Sequence, residues 1–144
     1  MASRFQQGYY IPKNPDKYVG DVNKIRYMSS WELHSHNFFD NSTRVIRWSS
    51  ESIAIPYIKP TDGRIHKYFP DYWVEYVNSD GVVLQEIIEV KPHAQTKLPT
   101  KNHKHQLYER VTYEINKAKW IACVNWCTQH GMTFRVVTEK SIFK

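Results

Sequence analysis

The feature that most restricts this chain is residues 65–91, IHKYFPDYWVEYVNSDGVVLQEIIEVK, in which two strand-like runs flank the turn signal NSDG. Successive side chains of a strand point to opposite faces, and a one-residue slip in pairing inverts every one of them. If Ser79, Asp80 and Gly81 form a three-residue loop with Gly81 left-handed, residues whose numbers sum to 160 lie opposite one another. Asp71 then faces Glu89, Tyr72 faces Ile88, Val74 faces Glu86 and Tyr76 faces Leu84. The even-numbered face is largely apolar, and the odd-numbered face carries Asp71, Glu75, Gln85, Glu89 and Lys91. A two-residue Asp80–Gly81 turn would scatter the polar set over both faces, so the first register is the one expected.

In that register Asp71 and Glu89 have Cβ atoms about 4.5–5.5 Å apart, and Lys91, two residues beyond Glu89, shares their face. Two clustered carboxylates repel, and a buried pair raises one pKa. A hard cation such as Mg2+ relieves the conflict with oxygen ligands. Pairing of Asp71 with Lys91 as a structural ion pair relieves it too. The pattern alone leaves both readings open.

Around the hairpin the chain reads as one α/β (α+β) domain. Residues 1–26, with Gly8, Pro12, Pro15 and Gly20, form an N-terminal arm on or beside a core of residues 27–144. A helix starts near Ser29, where Ser29 and Glu32 have capping-box spacing. Strands are expected at 53–58, 65–77 and 82–91, with a turn at Asp62–Gly63 and an irregular or edge position at Pro70. A basic loop fills 92–105. A long helix runs from about 105 to 129 with Gly131 as its C′ residue, and a last strand covers 132–139. A strand entering after a crossover helix lies parallel to an earlier one, which predicts a mixed sheet flanked by helices. Ala118, Trp120, Ala122 and Trp126 belong to the helix–sheet core.

The chain has 144 residues, a formal net charge of +6 and 15% aromatic residues, which suits a β-rich core and a polyanionic partner. The two cysteines, Cys123 and Cys127, have helical spacing and lack the four ligands of a zinc ribbon, so no disulfide and a reducing compartment are expected. MASRFQQGYYIPKNP has no apolar signal-peptide region, and no apolar run approaches the ~20 residues of a membrane span.

Pro70–Asp71 followed by Glu89-Val90-Lys91 resembles the PD-(D/E)xK nuclease core. SSWEL, WSSESIAIPY, DGRIHKYFPDYWVEY, EIIEVKP and NKAKWIACVNWCTQHGMTFRVVTE resemble, in order and spacing, one branch of that superfamily. It contains the head completion nucleases of contractile-tailed phages and, more distantly, the TnsA-like transposon endonucleases. The resemblance spans roughly residues 15–140 and implies a restriction-endonuclease-like core.

It further implies that Asp71 and Glu89 hold Mg2+ (Mn2+ substituting), with the Val90 carbonyl and Glu32 as further ligands. Lys91 polarises or deprotonates the attacking water. His34 and His36 follow Glu32 where the family's helix usually carries basic residues. His66, Lys97, Lys101, Lys104, Asn116 and Lys119 are candidate DNA contacts. The three loop lysines, with His93, His103 and His105, equally suit a solvated connection. The expected activity is Mg2+-dependent endonucleolytic hydrolysis of double-stranded DNA with little sequence specificity, during phage head completion after DNA packaging. Expected partners are phage head, portal or neck proteins and no membrane, with the protein in the host cytoplasm or on the virion. The alternatives are a catalytically silent head or neck protein on the same fold and a TnsA-like transposition endonuclease. The latter is disfavoured by the small length left after the nuclease core for meeting a transposase.

Overall fold

The computed structural model describes residues 7–92 and 106–138. At its centre lie β6 (Tyr72–Val77) and β7 (Val83–Val90), paired antiparallel from Tyr72↔Ile88 to Val77↔Val83. Every pair sums to 160, the register expected from a three-residue loop. Asn78 builds that loop: its amide donates to the Val82 carbonyl, and its Oδ1 accepts from the amides of Asp80 and Val82. Gly81 adopts φ +79°, which L side chains rarely tolerate.

Two further strands complete a four-stranded sheet of order β3-β6-β7-β8. Here β3 (Val45–Ser50) pairs antiparallel with β6, and β8 (Thr133–Val137) runs parallel to β7. The parallel strand follows α2 (Gln106–Gln129), as a crossover helix requires. That helix stops in a Schellman arrangement, Gly131 taking φ +72° and the Met132 amide donating to the Cys127 carbonyl at 2.9 Å.

The even-numbered face of the hairpin supplies Tyr72, Val74 and Ile88 to a core with Trp48, Val137 and Phe39 of α1 (Ser30–Asn41). Its one acid, Glu86, is met by Arg135 from β8, whose guanidinium approaches Oε1 to 2.9 Å. The opposite face contributes Ile87 and Trp73 to a second core under α2, with Ile55, Tyr57, Tyr68, Cys123 and Cys127. Both cysteines are buried thiols. Residues before α1 add to the first core: β1 (Gly8–Tyr9) pairs with β2 (Arg26–Tyr27), and Tyr10 and Ile25 are buried. The fully buried carboxylate of Asp40 accepts from the Tyr10 hydroxyl and the Lys13 and Asn14 amides, fastening this segment to α1.

Two expectations need correction. The expected strand over 65–77 is two strands in different sheets: β5 (Ile65–Tyr68) pairs with β4 (Ile55–Ile58) in a separate hairpin, and β6 starts only at Tyr72. Pro70, which lacks an amide proton, sits in the break. Strand β3 itself was not expected. A register shift between Val45 and Arg47 spoils its alternation, leaving Val45 and Trp48 buried three residues apart.

Candidate functional site

The break after Tyr68 delivers Asp71 to the end of β7, where Glu89 and Lys91 emerge two residues apart. Oδ2 of Asp71 accepts from the Val90 amide at 2.7 Å, and the Asp71 amide donates to Oε1 of Glu89 at 3.3 Å. The Asp71 carbonyl in turn accepts from the amide of Glu51, a residue held at φ +50°. Glu89 is therefore tied to the backbone of Asp71, and Asp71 to that of Val90, the residue after Glu89. Lys91, whose amide donates to the Val137 carbonyl, places Nζ 3.3 Å from Oε2 of Glu89. The lysine thus forms its ion pair with Glu89, not with Asp71.

Glu89 is only 5% exposed. Burial, followed by the negative charge of Glu89, pushes the Asp71 carboxyl up to about 8; the Val90 amide and Lys91 offset this only in part. A site whose carboxylates cannot both ionise freely is short of positive charge. The corner opens onto a cavity of about 500 Å3 lined by Glu32, Asp71, Val90, Lys91, Trp31 and Pro92.

Glu32 performs the capping role its spacing suggested while lining that cavity. Its amide donates to Oγ of Ser29, and its Oε2 accepts from the Met28 amide at 2.6 Å. Burial is the largest influence raising its pKa, and Glu51 adds to the rise. His36 does not face the cavity. It is fully buried, with Nε2 2.8 Å from the Arg26 carbonyl and Nδ1 2.7 Å from the Tyr72 hydroxyl, so it is a packing residue.

Of the other candidates, Lys119 comes to the site. Its Nζ lies over the rings of Tyr68 and Tyr57, 5.6 and 5.8 Å from their centroids. Its pKa is lowered by burial first and then by the charge of Lys91, while Glu89 acts the other way. Asn116 is buried on α2. His66 instead bonds Asp62 at 2.8 Å within the β4–β5 hairpin. Lys97, Lys101, Lys104, His93, His103 and His105 lie outside the described residues.

Tyr68 escaped the sequence reading. Its hydroxyl donates to Oε1 of Glu89 at 2.8 Å, and the ring is 4% exposed. Burial and the adjacent Glu89 push its pKa far upward, so it stays a donor. The available signal was its position three residues before Asp71, just ahead of the proline that ends its strand.

Among the described residues no three His, Cys, Asp or Glu side chains converge as a metal cluster. The donors at the corner are two carboxylates and backbone, all oxygen. A family model described as TnsA-like endonuclease N terminal matches residues 42–139, which include Tyr68, Asp71, Glu89, Lys91 and Lys119. The chain belongs to the TnsA-like endonuclease family. The chain is also 33% identical over 142 residues to the head completion nuclease of Enterobacteria phage T4, covering 94% of this chain and 92% of that protein. Glu32 precedes the span matched by the family model, so its place in the site rests on the cavity it lines. No helix among the described residues is long and apolar enough to cross a membrane.

Proposed function

We propose that this member of the TnsA-like endonuclease family is a Mg2+-dependent DNA endonuclease that hydrolyses phosphodiester bonds with little sequence specificity in phage head completion. The observation that carries the reading is the hydrogen-bonded pair of Asp71 and Glu89, short of positive charge, with Asp71 and Lys91 lining a cavity and Glu89 paired to Lys91 at its edge. Oxygen-only donors suit Mg2+, which keeps several of its waters and so needs few protein ligands. Zinc would call for histidine or cysteine, and the two cysteines are buried in the core under α2. Asp71, Glu89 and the Val90 carbonyl would hold the ion; Mn2+ would substitute. Glu32, which lines the same cavity, is the further ligand the family resemblance implies, reached only by a shift of its side chain since it does not converge with the other two here.

When bound, Mg2+ supplies a nucleophilic water at neutral pH and neutralises charge at phosphorus. The remaining work falls to the chain. Lys91 stands where it can hold the attacking water or meet the negative charge that develops on the phosphate oxygens. Lys119 adds a second ammonium on the α2 side, and with Lys97, Lys101 and Lys104 it would contact the DNA backbone. Phosphate contacts position a duplex without reading its sequence, and the net charge of +6 favours that partner. The place in head completion, and partners among phage head, portal or neck proteins, rest on the name of the T4 relative.

Incubation with supercoiled plasmid tests the reading. Nicking should require Mg2+ or Mn2+, stop with EDTA, and fall at least ~10²-fold in Glu89→Gln. Equal nicking by wild type and Glu89→Gln would refute it.

A further inference from the structure

We infer that Tyr68 is a positioning residue for Glu89, fixing which carboxylate oxygen is turned toward Lys91 and left for the cation. The assignment rests on the nuclease reading above and concerns a residue outside the acid–lysine set.

The argument starts from the unequal settings of the two oxygens. Oε1 of Glu89 accepts from the Tyr68 hydroxyl at 2.8 Å and from the Asp71 amide at 3.3 Å. Oε2 is left to Lys91 Nζ at 3.3 Å. A glutamate has three side-chain torsions and loses them only where something holds its end. The phenol bond is the shorter of the two at Oε1 and is made to a charged acceptor, the stronger kind of hydrogen bond. Without it the carboxylate keeps one long backbone contact and is free to turn both oxygens toward Lys91. A cation, which already competes with the lysine at Oε2, would then have to compete for both oxygens.

The same ring carries Lys119 on its face. Tyr68→Phe removes the hydroxyl and keeps that seat, so it separates the hold on Glu89 from the support of Lys119. Tyr57 also lies under Lys119, and no described hydrogen bond joins it to Glu89, so Tyr57→Phe is the matched control.

The experiment uses the full chain and reads Mn2+ affinity by calorimetry, together with kcat and KM for cleavage of a DNA substrate. Tyr68→Phe should weaken Mn2+ binding ~10-fold and lower kcat to a similar degree, as loss of a ligand's hydrogen-bonding partner does, while KM for DNA stays within about twofold. Tyr57→Phe should change none of these. In a Glu89→Ala background, which leaves Tyr68 no side-chain oxygen to hold, Tyr68→Phe should alter the residual Mn2+ affinity by less than about twofold, because Tyr68 acts through Glu89. Normal Mn2+ affinity and kcat in Tyr68→Phe, beside a wild type that binds and cleaves, would overturn this assignment alone. A weakening that persists undiminished in the Glu89→Ala background would overturn it too. A wild type that takes up no Mn2+ would overturn the nuclease reading and this assignment with it.

Discussion

Asp71→Asn should stabilise the metal-free protein, and increasingly so as pH rises. In the unfolded chain an aspartate loses its proton near pH 3.8, whereas the folded site holds that proton until about 8. Between these values the folded state binds more protons than the unfolded one. This contribution is therefore fully present below the unfolded pKa and is lost as pH rises toward the folded one. The slope is ~1.4 kcal/mol per pH unit, so about three units, from near 4 to 7, forfeit ~4 kcal/mol. Water in the adjoining cavity screens part of this, so ~2–4 kcal/mol is expected at pH 7. Asparagine carries no charge at any of these pH values, and its Oδ1 still accepts from the Val90 amide. The assay is urea unfolding of wild type and Asp71→Asn at half-unit steps from pH 4.5 to 8 in EDTA. The two stability curves should converge at the acid end and separate steadily toward pH 8. Saturating Mg2+ should then close the gap by raising the wild type alone. Curves that stay parallel over the whole range would refute the reasoning, because they would show that burial and Glu89 impose no charge penalty on Asp71.

Three further outcomes are expected. Lys91→Ala should retain or slightly strengthen Mn2+ binding, since Glu89 loses a competing ammonium, while plasmid nicking drops ~10²-fold or more. Replacing Lys97, Lys101 and Lys104 together by Ala should weaken DNA binding uniformly across sequences and reduce the salt slope by roughly one per lost phosphate contact; an unchanged slope would make the loop a solvated connection. Burial lowers the pKa of His36, so the unfolded state takes up its proton first. Stability should accordingly fall as pH drops below about 6.5, and His36→Gln should flatten that part of a thermal-unfolding profile.

The central hairpin was readable because two independent constraints agree. NSDG offers a left-handed glycine at the end of a three-residue loop, and only that loop segregates the polar side chains. The i, i+2 spacing of Glu89 and Lys91 then put both on one face, and the opposed position brought Asp71 to them. Strand β3 was hidden by its bulge, which breaks the period-2 signal that identifies a strand. The separation of Ile65–Tyr68 from Tyr72–Val77 was hidden for another reason. Pro70 announces an irregularity but not which sheet each side joins, and that is decided by packing of Tyr57 and Tyr68 in the core with Cys123 and Cys127. Tyr68 itself reads as an ordinary apolar strand residue. Its hydroxyl becomes informative only once the chain turns at Pro70 and sets it beside Glu89.

Tyr68, Asp71, Glu89 and Lys91 all fall within the span 68–91, closed by one tight turn. Closing so short a loop costs little chain entropy, and hairpins zip in microseconds. The corner can therefore assemble early in folding, while it is still wet and its acids are only weakly opposed. Tyr68, Ile87 and the buried thiols of Cys123 and Cys127 share one core, so docking of α2 covers the Tyr68–Glu89 side of the corner. The repulsion between Asp71 and Glu89 is thus expected to grow as α2 docks, after the hairpin has formed. A divalent cation present at that stage should slow unfolding far more than it speeds folding.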